Sequence, residues 1–168
     1  GAGKSAVAAA LGERLGGAVA DLDAMVEVAA GRGIADLFAR GGEAAFRRLE
    51  GVALREALAA GAAVLACGGG IVLDALQRRT LVEHCRVAWL EVEPATAAAR
   101  LAGEAGGRPL LAGVLGAGPA QLERRLTELL AGRRELYAEI AAVRVTVDGL
   151  GPDEVADAVL RELGGAGR

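Results

Sequence analysis

Lys4 and Ser5 follow directly on Gly1-Ala2-Gly3, and this Gly-x-Gly-Lys-Ser run opens onto Ala6-Val7-Ala8-Ala9-Ala10-Leu11. These are the residue types of a phosphate cradle. Glycines let backbone N–H groups turn inward around a phosphate, a lysine reaches the outer phosphates, and a serine hydroxyl holds Mg²⁺. A helix begun at Ser5 adds the partial positive charge of its N-terminus. The run is the second half of the pattern G-x-x-x-x-G-K-[ST]; the first glycine and the strand that delivers such a loop would lie before residue 1. The plain alternative is a Gly/Ala-rich helix start, in a chain with 26 glycines.

Two carboxylates come next, in Asp21-Leu22-Asp23, just past the apolar run Ala18-Val19-Ala20. At i and i+2 on an extended backbone they share one side, and in an open α/β sheet the carboxyl ends of strands form the ligand crevice. Beside a phosphate cradle such a pair suits a metal ligand and a base, where elsewhere it would be a solvated turn. Arg47 and Glu50 stand at i,i+3 in Phe46-Arg47-Arg48-Leu49-Glu50. They form either a surface ion pair or a guanidinium held ready for an anionic ligand. Gly68-Gly69-Gly70 follows a second apolar run, Ala62–Ala66, and is flanked by Cys67 and Ile71-Val72. Three glycines in a row cost backbone entropy, so a close approach is expected there, with N–H groups offered to a ligand. Arg108, in the Gly-rich stretch 103–118, suits either the tip of a mobile lid or an ordinary loop.

The elements that must position these groups alternate. Helix is expected from Ser5 to about Leu15, then strand at 18–20. Residues 25–56 read as helix broken at Gly31-Arg32-Gly33 and at Gly41-Gly42. Strands are expected at 62–66, 86–92 and 143–147, helix from Thr96 to Leu101, one long helix over Gln121–Ala142, and a last helix opened by Pro152. Such alternation argues an α/β fold with a parallel sheet covered on both faces. The 168 residues amount to one domain, 53% apolar but only 2% aromatic, so the core is built from Ala, Val and Leu.

A net charge of -3 gives no footing for nucleic acid or an anionic membrane. No apolar run is long enough to span a bilayer, and no basic-then-apolar leader is present. The single His84 excludes His₂ or His₃ metal sites and His-dependent triads, and Cys67 and Cys85 lack metal-binding spacing. Reduced thiols in a cytoplasmic protein are expected.

Taken together and in order, six motifs make the chain resemble the shikimate kinases from Gly1 to about Leu163. They are Gly-x-Gly-Lys-Ser, Asp-x-Asp followed by Val26-Glu27, Phe-Arg-Arg-Leu-Glu, Gly-Gly-Gly-Ile-Val, Arg108-Pro109-Leu110-Leu111, and Arg133-x-x-Leu136-Tyr137. The resemblance implies a three-layer αβα P-loop kinase with a helical substrate-binding segment at about 24–56 and a lid at about 103–118. It implies shikimate as acceptor and ATP as donor, on the route to chorismate and aromatic amino acids, with Mg²⁺ as cofactor in a protein expected to be monomeric. ATP phosphates would lie on the backbone of Gly1, Ala2, Gly3, Lys4, Ser5 and Ala6, with Lys4 bridging β and γ. Ser5 and Asp21 would hold Mg²⁺, Asp23 would bind shikimate hydroxyls and assist removal of the 3-hydroxyl proton, and Arg47 and Arg133 would clamp the carboxylate. Gly69 and Gly70 would donate to the substrate ring, Arg108 would close over ATP, and Phe38 and Phe46 would line the pocket.

The departures are specific. Leu22 stands where the family usually has Ser or Thr, and Glu135 where Pro is common. The stretch Asp148–Pro152, where an adenine-contacting loop is expected, matches poorly. The family's central strand would precede Gly1, so without it two neighbouring strands lose a partner, and a protein truly starting there would be weakly stable and bind ATP poorly. The rivals are another small-molecule P-loop kinase, acting on gluconate or a nucleoside monophosphate, and a catalytically silent shikimate kinase-like binding protein. The first is not expected to combine Asp23, Arg47, the glycine triplet and Arg133. The second should have lost Lys4, Asp23 or a clamp arginine.

Overall fold

A computed structural model describes residues 1–102, 111, 113–114 and 118–165. Arg108 and most of the expected lid lie outside the described residues. Eight helices and four strands are described: α1 (Lys4–Leu15), β1 (Val19–Asp21), α2 (Leu22–Ala30), α3 (Ile34–Ala59), β2 (Val64–Ala66), α4 (Ala75–His84), β3 (Ala88–Glu91), α5 (Pro94–Leu101), α6 (Pro119–Ala131), α7 (Arg134–Ile140), β4 (Val143–Thr146) and α8 (Pro152–Gly165).

Local chemistry explains most of the boundaries. Asp21 caps α2 by accepting from the N–H groups of Asp23 and Ala24, and Asp74 caps α4 through those of Leu76 and Gln77. Proline opens α5, α6 and α8 with its backbone already set for a first turn. The two breaks expected in residues 25–56 are present. Gly31 closes α2 in the left-handed conformation, and Gly42 interrupts α3 at φ 67, which no residue with a β-carbon adopts cheaply. The single long helix expected over 121–142 is instead two, because the chain leaves the helical path at Arg133, with φ -128 and ψ -13 after Gly132. The two carboxylates do not share an extended strand either. Asp21 ends β1 whereas Asp23 lies in the first turn of α2, with Leu22 between them fully buried as a core residue.

The sheet is parallel and comes in two pairs. β1 pairs with β2, Val19 opposite Val64, and β3 pairs with β4, Ala88 opposite Val143. Between β2 and β3 runs an apolar cavity of about 630 Å³. It is bordered by Val64, Leu65 and Ala66 on one side and Ala88, Trp89 and Leu90 on the other. Successive strand residues point to opposite faces, so consecutive lining residues mean that the strand edges themselves face the cavity. Gly1 and Ala2 lie at its border.

Each pair belongs to its own apolar cluster. Leu22, Val26, Phe46, Leu54, Ile71 and Leu81 pack beside β1 and β2, while Val7, Val145, Val147, Val155 and Val159 pack α1 and α8 on β4. Both clusters are mainly the aliphatic core expected from composition, with Phe46 the exception beside β1 and β2.

Candidate active site

Ser5 and Asp21 meet where α1 begins and β1 ends. The Ser5 hydroxyl donates to Asp21 Oδ2 at 2.7 Å, while Asp21 Oδ1 accepts from the backbone of Asp23 at 3.1 Å. One carboxylate therefore fixes the start of α2 with one oxygen and presents the other toward the phosphate cradle. Two hard oxygens at this position fit Mg²⁺, which takes one or two protein ligands and fills its octahedron with water and phosphate. Among the described residues no group of three or more His, Cys, Asp or Glu could hold a metal. An ion here draws most of its ligands from outside the chain.

Gly3 precedes α1 in the left-handed conformation, at φ 75. Gly1 is held from behind by Arg100, which donates to Gly1 O at 3.2 Å and to Val147 O at 3.1 Å, tying the cradle to the end of β4. Sequence reading missed Arg100, since a lone arginine at the end of a helix carries no pattern. Asp148, just beyond β4, accepts from the Glu93 N–H at 3.1 Å; its carboxyl lies below the usual range, chiefly through a hydrogen bond from Thr96.

The remaining candidate residues assemble around Gly68-Gly69-Gly70. A methyl group on Gly68 would lie 2.9 Å from Glu50 Oε1 and 3.1 Å from Asp23 Oδ1. On Gly69 it would lie 3.0 Å from the Tyr137 hydroxyl and 3.9 Å from Arg133 Nη1, and on Gly70 it would overlap the Arg47 guanidinium. The triplet is glycine because the site's own side chains crowd against it from three sides. This explanation differs from the ligand approach expected from sequence, although both place the site here. Asp23, Arg47 and Arg133, spread over 110 residues of chain, thus converge on one turn.

Arg47 is mostly buried, with 13% of its side chain exposed, which opposes its charge. Glu50 at 2.7 Å and Glu43 at 2.9 Å outweigh that penalty, and the guanidinium stays more basic than usual. Arg47 also lies 5.1 Å from the centre of the Phe46 ring, which stacks on Phe38 at 5.0 Å. The two phenylalanines expected as a pocket wall do adjoin the arginine. Glu43 was missed by sequence reading, although i,i+4 spacing to Arg47 is a usable signal.

Glu50 is fully buried. Burial raises its carboxyl above the ordinary value, Arg47 pulls partway back, and Asp23 and Asp74 push it further up. Its Oε1 has no hydrogen-bond partner among the described residues. Burial also pushes the Cys67 thiol up to about 12, which keeps it protonated and unreactive beside Lys4.

The shikimate kinase family model matches residues 1–164. A shikimate kinase of Streptomyces avermitilis is 45% identical over 163 residues, 97% of this chain and 90% of that protein. One of Thermobifida fusca is 42% identical over 167 residues, 99% of this chain and 92% of that protein. Among solved structures, a shikimate kinase from Acinetobacter baumannii in complex with shikimate superposes with a TM-score of 0.87 at 30% identity, covering 99% of this chain and 89% of that one. The enzyme from Bacteroides thetaiotaomicron gives 0.82 at 25% identity, covering 98% and 92%.

Proposed function

Since the chain belongs to the shikimate kinase family and is a phosphotransferase, we propose that it moves the γ-phosphoryl group of ATP onto the 3-hydroxyl of shikimate through the site built on the glycine triplet. The observation that carries this reading is the convergence of Asp23, Arg47 and Arg133 on Gly68-Gly69-Gly70, next to a nucleotide cradle made by Lys4, Ser5 and Asp21.

Two guanidinium groups beside one turn suit a small carboxylate, because each offers paired donors in a fixed plane. Held by Arg47 and Arg133, the ring of shikimate presents its hydroxyls to Asp23, in the first turn of α2. Asp23 orients the attacking hydroxyl and takes its proton; a loose transition state releases that proton late, so an ordinary carboxylate serves. Lys4 lies against the outer phosphates and offsets the charge that builds on them. Ser5 and Asp21 would hold a magnesium ion, which when bound supplies further positive charge to the phosphate chain. Arg108, assigned by resemblance alone, closes over the nucleotide and excludes water. The protein acts as a monomer in the cytoplasm, in the synthesis of chorismate and aromatic amino acids. Among the described residues no helix is long and apolar enough to cross a membrane.

Release of ADP from MgATP, with and without shikimate, tests the reading directly. Turnover should require shikimate and should not appear with gluconate or nucleoside monophosphates. Asp23→Asn should lower kcat by about 10² or more, the size of one lost general base, while shikimate still binds. Undiminished turnover in that variant would remove Asp23 from the reaction.

A further inference from the structure

We infer that Tyr137 is a positioning residue that locks the Gly69–Gly70 peptide in the orientation that serves the acceptor, and that it couples this peptide to Arg133. The inference rests on the proposed function for the identity of the acceptor; the lock itself is a matter of geometry.

The Tyr137 hydroxyl donates to the carbonyl oxygen of Gly69, and the positive charge of Arg133 bears on the same hydroxyl. A phenol has one proton to give, and here it goes to Gly69. The peptide is planar and trans, so the Gly69 carbonyl and the Gly70 N–H point in opposite directions. Holding the carbonyl on Tyr137 therefore aims the Gly70 N–H away from the Tyr137 hydroxyl. Among the described residues the Gly70 N–H has no hydrogen-bond partner, whereas the next amide, that of Ile71, returns to Gly68 O at 3.1 Å. A run of three glycines offers little steric resistance to a flipped peptide. Something outside the turn must choose, and Tyr137 is the group that touches it.

The tyrosine is itself firmly mounted. Its N–H bonds to Arg133 O at 2.9 Å, one turn back, so the clamp arginine and the lock leave the start of α7 on the same side. Its ring packs against Trp89, with centroids 5.6 Å apart. Trp89 in turn lies beneath Arg144 at 4.7 Å and Arg134 at 5.6 Å, both paired with Glu91. This aromatic and ionic stack joins β3, β4 and α7 and gives the hydroxyl a fixed position.

Tyr137→Phe keeps the ring and its packing and removes only the hydroxyl. In this variant the KM for shikimate should rise about tenfold, the worth of one net hydrogen bond, while the KM for ATP stays within about twofold. Without any ligand, deuterium uptake over residues 67–73 should become faster than in the parent chain. Unchanged shikimate KM, or an equal rise for ATP, overturns the inference, as does unchanged uptake. A parent chain without shikimate-dependent turnover overturns the functional reading, and the uptake comparison still decides the lock. Because the chain has a single tyrosine, 3-fluorotyrosine places one fluorine at this position and needs no variant that must fold. Its ¹⁹F resonance should shift when shikimate is added and stay put with MgATP alone; the opposite pattern, or no shift at all, overturns the proposal.

Discussion

Arg47 and Arg133 show what a single charged side chain contributes here. Each offers charge-assisted bonds to a carboxylate, worth about 1.5–3 kcal/mol apiece, or roughly 10- to 100-fold in affinity. Arg47→Ala and Arg133→Ala should each raise the shikimate KM by about that factor and leave nucleotide binding nearly unchanged, as calorimetry with each ligand would show; normal shikimate binding in both would place the pocket elsewhere. Glu50 makes a different prediction, about pH. Its carboxyl is raised in the folded protein, so the native state holds that proton longer than the unfolded chain. Stability from this group is present at low pH and is lost as pH rises past 4.5 and through the folded value. The urea-unfolding free energy of the parent minus that of Glu50→Gln should therefore fall between about pH 4.5 and pH 7, and a constant difference would contradict the shift. The Arg47–Glu50 pair was legible in the sequence because i,i+3 spacing fixes it locally, and Ser5 and Asp21, which meet in the fold, stood out by residue type and order. Arg100 and the role of Tyr137 were not, since each acts on a carbonyl far away along the chain, Gly1 and Gly69.

At the level of elements, the breaks decide where the side chains go. The left-handed turn at Gly42 splits α3, so that Phe38 and Phe46 face each other across the bend and Arg47 leaves the second half toward Gly70. Gly42→Ala should cost about 1–3 kcal/mol in stability, because φ 67 with ψ -179 is a region that essentially only glycine occupies, and should weaken shikimate binding with it. A thermal melt at parental Tm would show that the bend tolerates a side chain. The break at Gly42 was visible as a glycine pair within an apolar period, and the ends at Gly31 and Pro152 were equally plain, whereas the helix starts at Pro94 and Pro119 were placed two residues late. The break at Arg133 was hidden, because one glycine inside an otherwise helical pattern is often tolerated. Here the departure from the helix frees Arg133 to reach Gly69 while Tyr137 follows one turn later. The Asp21–Asp23 pair was read on one extended backbone, whereas α2 begins at Leu22 and takes Asp23 into its first turn.

For the molecule as a whole, the alternation of elements foretold the parallel strands, which the described residues pair as β1–β2 and β3–β4. Strand pairing itself could not be read from periodicity, because strands of three and four residues carry almost no pattern. The division has a consequence for how the protein comes apart. Among the described residues no ladder hydrogen bonds join β1–β2 to β3–β4, so the coupling that makes unfolding all-or-none falls to α1, which packs on both β2 and α8, and to the Trp89–Tyr137 contact. The only tryptophan, Trp89, belongs to β3, so its emission reports one half, whereas circular dichroism sums every helix. In a guanidinium titration the two signals should give coincident midpoints; separated midpoints would mean that α1 and the Trp89–Tyr137 contact do not weld the halves into one cooperative unit.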